Sequence, residues 1–439
     1  MTLKKIIKSE KLIKNCSKKE IAKIAHEALY PEKKIKESLS VRDVSGNSGA
    51  KTYICHEDNN PKCIIKISDG KGIMNSHPNT NLRVKAATEI MREHGIAPPI
   101  LMVGADFHIE QSAGISVMKD FFHFDTKLAP LKKIAELLAR IHSAPTSWYG
   151  PLREKFLTRD MILEGILRPM PHHAPCWCLP WSAFDTGMPV LGVGNPNTKI
   201  AKEILELSLK TGVYKRVMQC SAFFPQTSAA KRQVVIHNDF KPDNVLYEPE
   251  TGFLTAIDYD LVQVGAAIMD FGLPYTMWLG SRYTSYHTRK IFIETYLKAS
   301  NLPHSNKDVK EMMLDCEVNT IVAFPGLLAN IYDAEIPLLR GTRHPTAKEG
   351  FYAGGPDDIP TGPELVDLLA EAIQIIRSDK KLIDECLKDG LVMTIFKREG
   401  LGIKHLDSWI KEMQKNRMLR LFGIAEKDGS DLYVASHAR

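Results

Sequence analysis

No stretch of this sequence approaches the roughly 18 to 20 uncharged apolar residues of a membrane-spanning helix. The first residues also lack the apolar core of a secretory signal, so a chain that stays in the cytoplasm is expected. Cysteine is sparse: Cys16, Cys55, Cys63, Cys176, Cys178, Cys220, Cys316 and Cys386 are scattered through 439 residues, a length that needs no disulfide staples. Reduced thiols are therefore expected. Zinc-type ligand patterns are poor as well. His172-His-Ala-Pro-Cys176-Trp-Cys178 offers a single C-x-C, where structural zinc sites use paired C-x-x-C motifs. Internal repeats and low-complexity tracts are absent.

What is present is an ordinary globular composition, 44% apolar and 25% charged, sufficient for two or three packed units. Charge is unevenly placed. Residues 1–36 hold 11 Lys, no Arg and 4 Glu, a net +7, whereas the whole chain is only +6. Such an arm could touch an anionic membrane surface or nucleic acid. The pattern has a simpler account. Ser17-Lys-Lys-Glu20 is a capping box, followed by Ile21, Ile24, Ala25 and Leu29 at helical spacing. A helix docked on the body uses every one of these residues, and no nucleic-acid partner is expected.

The periodicity then changes. Residues 40–55 are two strand-like pieces around a small-residue turn, and CIIKIS (63–68) is a third. A helix carries Val84, Ala87 and Met91 on one face with Glu89 beside them; two short strands follow, ILMV (100–103) and FHIEQ (107–111). The order makes a small sheet with one helix over residues 40–112. Beyond it, LKKIAELLARIHSA (131–144) and residues 200–218 read as amphipathic helices, separated by a Pro-, Trp- and His-rich insertion at 145–199. VVIHNDFKPDNVLY (234–247) is a strand, a polar loop and a strand, and FLTAIDYD (253–260) is another strand after a turn.

The polar loop carries the chemistry. His237, Asp239 and Asn244 fit the H-x-D-x-x-x-x-N pattern of kinase catalytic loops. Phosphoryl transfer needs a carboxylate to orient the attacking hydroxyl and a neutral oxygen donor five residues on to hold magnesium. A second metal ligand should sit at the end of the next hairpin. Asp258, 14 residues past Asn244, meets that condition, whereas Asp270 in the conspicuous Met-Asp-Phe-Gly lies 26 past it, beyond a further stretch. Asp260 shares a strand face with Asp258.

The run H-N-D-F-K-P-D-N-V-L, then A-I-D-Y-D, then I-M-D-F-G, resembles the catalytic region of choline/ethanolamine kinases and the related aminoglycoside phosphotransferases. The resemblance implies an α+β, two-lobed protein-kinase-like fold, with a small antiparallel-sheet N-lobe and a large, mainly helical C-lobe. It implies ATP and Mg2+ as cofactors and a small-molecule alcohol as substrate. Asp239 would be catalytic, Asn244 and Asp258 would grip magnesium, and Asp270 would brace the site with His237, which bonds backbone instead of reacting. Lys241 would contact the transferring phosphate. Upstream, Ser45-Gly46-Asn47-Ser48-Gly49 and Lys51 match the turn over the nucleotide phosphates, Lys66 the basic phosphate contact and Glu89 its helix partner. Glu110 and Gln111 fall in the hinge strand that binds adenine through its backbone.

The implied layout is a Lys-rich helical arm (1–39), the N-lobe (40–112), the C-lobe (113–339) and a helical extension (340–439) that covers the lobe or forms a homodimer contact. A protein kinase is the competing class. The 129 residues between Glu110 and Asp239 exceed what that class uses, and no A-P-E follows Asp258 at activation-segment distance. The acceptor is less defined. Where the choline-kinase family has a Glu-Trp pair, this chain has Met277-Trp278, and no tryptophan lies between Trp278 and Trp409. Asp260, Tyr275, Trp278 and Tyr332 are the candidate pocket residues. The other readings are a kinase for an aminoglycoside- or sugar-like acceptor and a pseudokinase binding module.

Overall fold

The computed structural model describes residues 7–32, 39–44, 51–67, 88–116, 128–149, 226–237, 239–240, 244–248, 250–259, 262–271, 285–328 and 379–390, together with Lys210 and Thr394. The phosphate turn at 45–49, residues 150–199 of the insertion, the helix expected at 200–218 (apart from Lys210), Lys241, Asp260, Tyr275, Trp278, Tyr332 and the C-terminal extension (apart from residues 379–390 and Thr394) lie outside the described residues. So do the two zinc-like histidines and their cysteines.

Alternating apolar residues make β3 (Lys51–Glu57) and β4 (Asn60–Ile67), closed by Asp58 and Asn59 at φ 48° and 64°. Asp and Asn tolerate that left-handed geometry, which gives a tight turn the twist a hairpin needs. Around this hairpin a six-stranded sheet forms in the order β1-β5-β6-β4-β3-β2, with β1 (Ile7–Lys8), β2 (Ser40–Asp43), β5 (Ile100–Val103) and β6 (Phe107–Gln111). All pairs are antiparallel except β1 with β5. The strand period of two gives the sheet two different faces. Tyr53, Cys55, Cys63, Ile65, Ile67, Phe107 and Ile109 pack on Ile21, Ile24, Ala25 and Ala28 of α1 (Lys18–Leu29). The opposite face offers Ile54 and Ile64, which join Val44, Leu246, Ala113 and Ile257.

Residues 7–32 of the basic arm are thus built into the sheet unit. Ser17 and Glu20 form the reciprocal capping box that starts α1. The buried Asp106 carboxylate accepts the Ile13 and Lys14 backbone N–H groups at 2.9 Å each. Lys8, Lys11, Lys14, Lys18, Lys19 and Lys23 remain exposed. Strand β1 leaves no signal in the sequence pattern, because two residues are too few to show a period.

The remaining elements assemble on α3 (Leu128–Ser143), whose apolar stripe, Leu131, Ile134, Leu137, Leu138 and Ile141, is fully buried. Each such side chain contributes roughly 1.5–3 kcal/mol on burial. On it packs α5 (Tyr286–Ala299), on α5 packs α6 (Asn306–Leu328), and on α6 packs α7 (Lys380–Asp389); in chain order these come after the helical residues 88–93 (α2) and a single turn, α4 (Ser228–Lys231). Met91 of α2 enters this same core. Two small sheets complete the unit: β8 (Gln233–Ile236) with β11 (Gln263–Ala266), and β9 (Val245–Tyr247) between β10 (Leu254–Ala256) and β7 (Ile115–Ser116). A 3-10 helix, Ala267–Phe271, follows β11.

Among the described residues, hydrogen bonds and a chain crossing also join the sheet to this helical group. The Ala256 N–H donates to Ile96 O at 2.9 Å, and the Arg140 guanidinium reaches Leu254 O at 2.9 Å and Gly95 O at 3.4 Å. Gly114, at φ +110°, takes the chain from β6 into β7; a Cβ there would meet Tyr247 O at 2.1 Å.

Candidate active site

Three short strands position the polar loop. β8 enters it at His237, and the β9–β10 hairpin leaves it at Asn244 and returns to Asp258. In the register Val245 faces Ala256, so the next residues outward, Asn244 and Ile257, meet at the hairpin's open end, where the Ile257 N–H donates to Asn244 O at 3.0 Å. Asp258 is one step beyond. It has φ +66°, a left-handed conformation rare for a residue with a side chain and concentrated at functional sites.

Asn244 is 3% exposed and donates through Nδ2 to both Asp239 O and Asp239 Oδ2, each at 2.9 Å. Five residues of loop are thereby folded back on themselves, which fixes the half-buried Asp239 carboxylate. With Nδ2 committed, Oδ1 is the atom through which Asn244 can meet a hard cation. That oxygen and the Asp258 carboxylate are the donor set magnesium prefers, which uses few protein ligands beside substrate phosphates. Among the described residues no group of three or more His, Cys, Asp and Glu could hold a metal by itself.

His237 is fully buried and makes three bonds. Its backbone N–H donates to Asp270 Oδ2 at 2.7 Å, its Nε2 lies 2.8 Å from Ile257 O, and its Nδ1 accepts the Asp239 N–H at 3.2 Å. A carbonyl can only accept, so Nε2 carries the proton and Nδ1 does not; the ring is in one neutral tautomer. It ties Asp239 to the residue before Asp258.

Asp270 sits behind this loop, 2% exposed. Its Oδ2 also lies 3.1 Å from His142 Nε2, and His142 Nδ1 is 2.7 Å from the Tyr296 hydroxyl, to which Arg232 Nη2 donates at 3.0 Å. Burial, together with the Arg232 charge, lowers the His142 pKa despite the opposing pull of Asp270. Burial likewise pushes the Tyr296 hydroxyl up to about 12 even against the Arg232 charge. Asn319 of α6 donates to Ile268 O at 2.9 Å and fixes the 3-10 helix that bears Asp270.

Lys66 is on the sheet face that looks toward Leu246 and Ile257. Its Nζ lies 3.9 Å from Glu110 Oε1, which also holds His108 Nε2 at 2.9 Å. Burial alone would raise the Glu110 carboxyl; the Lys66 charge and the His108 bond outweigh it and hold it at about 2. Glu89 is half-buried on α2, Lys51 is exposed at the start of β3, and Gln111 is exposed at the end of β6. The strands on either side of residues 45–50 are paired, with the Val44 N–H donating to Thr52 O at 2.8 Å. The backbone of β6 is used by β4 on one side and β5 on the other, with the Gln111 N–H donating to Pro99 O at 2.8 Å.

His142, Tyr296 and Asn319 were not singled out by sequence reasoning. His142 did leave a signal: it continues the 134, 138 step of the buried α3 stripe, where an apolar residue is expected. A histidine there needs buried polar partners.

Residues 110–299, which contain this entire polar loop together with Asp258 and Asp270, match the family model APH, the phosphotransferase enzyme family. Over this segment, which is less than half of the chain, the protein is similar to that family. None of the curated proteins matches the chain. Among solved structures, ethanolamine kinase from Plasmodium vivax is 13% identical, covering 84% of this chain and 98% of its own, with a TM-score of 0.45. Choline kinase from Cryptosporidium parvum Iowa II is 16% identical, covering 90% of this chain and 100% of its own, with a TM-score of 0.46. The APH(2")-IIa ternary complex with streptomycin and ATP is 15% identical, covering 72% of this chain and 92% of its own, with a TM-score of 0.42.

Proposed function

We propose that the chain is an ATP- and magnesium-dependent phosphotransferase acting on the hydroxyl of a small molecule, most like choline or ethanolamine kinase, in the cytoplasm. The observation that carries this reading is the pairing of Asp239 with Asn244 at the open end of a hairpin whose other arm delivers Asp258. The sheet would form one lobe and the helical group the other, with the nucleotide between them.

In this reading the adenine is received by the apolar residues where the two groups meet, Val44, Ile54 and Ile64 on the sheet side and Leu246 and Ile257 on the other. Lys66, with Lys51 and the 45–49 turn, positions the phosphates, and Lys241 contacts the transferring group. Asn244 Oδ1 and the Asp258 carboxylate would hold magnesium, which when bound neutralises phosphate charge and fixes the geometry. Asp239 orients the acceptor hydroxyl and accepts its proton as the oxygen bonds to the γ-phosphorus and the bond to the ADP oxygen breaks. Asp270 and His237 hold the loop in place. Asp260, Tyr275, Trp278 and Tyr332 are proposed for the acceptor pocket, where aromatic faces would suit a cationic amino alcohol.

Phosphorus NMR of ATP with a panel of amino alcohols, sugars and aminoglycosides tests the reading. Transfer to a hydroxyl, lost in Asp239→Ala, is expected. Tight nucleotide binding without turnover of any acceptor favours a binding module, and turnover that survives Asp239→Ala contradicts the mechanism.

A further inference from the structure

The strand register raises a question about the lysine that meets the phosphates: what holds it in place. In the β4–β6 pair Lys66 stands opposite His108, and Glu110 is two residues along on the same face, opposite Ile64. Diagonal neighbours on one face of an antiparallel pair lie within reach of long side chains. Glu110 is buried, and one of its oxygens faces both the Lys66 ammonium at 3.9 Å and the His108 ring at 2.9 Å. The same face carries the apolar residues that meet Leu246 and Ile257. The helix that bears Glu89, by contrast, is anchored elsewhere. Its Met91 is fully buried in the core built on α3, and Ile90 packs against that core too.

We infer that Glu110 is the positioning residue for Lys66, and that the carboxylate partner of the phosphate-binding lysine is supplied by the neighbouring strand of the same sheet. This inference rests on the nucleotide site proposed above. It has a mechanical consequence. A lysine paired to a helix loses its partner whenever the helix shifts; a lysine paired within the sheet register is pre-aimed at the phosphates irrespective of α2. His108 fixes the Glu110 carboxylate from the other side and so completes a three-residue row: cation, carboxylate, imidazole.

Two readouts on the full-length chain separate the pairing from its role in nucleotide binding. The first is the rate at which Lys66 is acetylated by acetic anhydride without nucleotide, followed by peptide mass spectrometry. Glu110→Gln should raise it by about threefold or more, because a lysine that loses its carboxylate is more readily deprotonated. Glu89→Gln should leave it at the wild-type rate. The second is ADP affinity by calorimetry, which Glu110→Gln should weaken about tenfold. Glu110→Asp, with the charge retained one methylene shorter, should fall between Gln and wild type in both readouts, which also guards against a folding defect. Unchanged Lys66 labelling in Glu110→Gln, or the threefold rise appearing in Glu89→Gln instead, overturns the pairing. A raised labelling rate in a protein that never binds ADP keeps the pair and refutes the nucleotide site.

Discussion

Asp258 and Asp270 lie twelve residues apart and contrast in every physical respect. Asp270 is almost fully buried, and a single oxygen of its carboxylate meets both the His237 N–H and His142. Asp258 is half-buried, held in left-handed backbone at the open end of a hairpin, next to the residue that His237 and Asn244 both bond. A carboxylate already solvated by protein donors is committed to holding the fold. The one delivered to the hairpin mouth by left-handed backbone is the one we propose for the cation. The spelling Met-Asp-Phe-Gly points at the wrong one of the two under this account.

The largest expected effect comes from the chemistry itself. Asp239→Asn should lower kcat on the order of a thousandfold while leaving the melting temperature within a degree or two, since general-base contributions reach that size. Asp258→Asn should lose turnover to a similar extent, about a thousandfold, with folding intact by circular dichroism. If Asp258→Asn instead unfolds the protein, the distinction between the two aspartates breaks.

Asp270→Asn should reverse the balance: a stability loss of about 1–3 kcal/mol from the weakened buried network, read by urea denaturation, with a smaller fall in kcat. A sharper structural control is Arg289, fully buried, which pairs with Glu317 and donates to Leu387 O at 2.6 Å and Lys388 O at 3.0 Å. Arg289→Met removes the buried cation that meets Glu317 and the donor to both carbonyls, and should cost about 3–5 kcal/mol, without changing the metal dependence of turnover.

The smallest effect is in pH dependence. The His142 pKa is lowered in the folded state by burial, so the unfolded chain takes up the proton first. Its contribution to stability is therefore full above the ordinary histidine value of 6.5 and is lost as pH falls below it. Replacing it, in His142→Gln, should flatten the stability–pH curve below that value, as measured by urea midpoints. A curve as steep as the wild type's would remove His142 from the brace.

Much of this was legible in the sequence because it is local. The hairpin that pairs Tyr247 with Leu254 follows from two apolar runs around a turn, and it alone brings Asn244 and Asp258 to one end. The capping box of α1 and the buried stripe of α3 follow from spacing in the same way. Contacts across long separations left little trace. His142 reaches Asp270 over 128 residues and Asn319 reaches Ile268 over 51, and nothing in either neighbourhood names the partner. The sequence pattern places Glu110 in the hinge strand but carries no strand register; only once β4 and β6 are aligned does its side chain fall beside Lys66.

The most direct test of the central claim is manganese binding in the presence of ADP, followed by electron paramagnetic resonance, in the wild type, Asp258→Asn and Asp270→Asn. The account predicts that the ternary manganese–ADP signal is retained in Asp270→Asn and lost in Asp258→Asn. A signal that survives in Asp258→Asn and vanishes in a folded Asp270→Asn would contradict it.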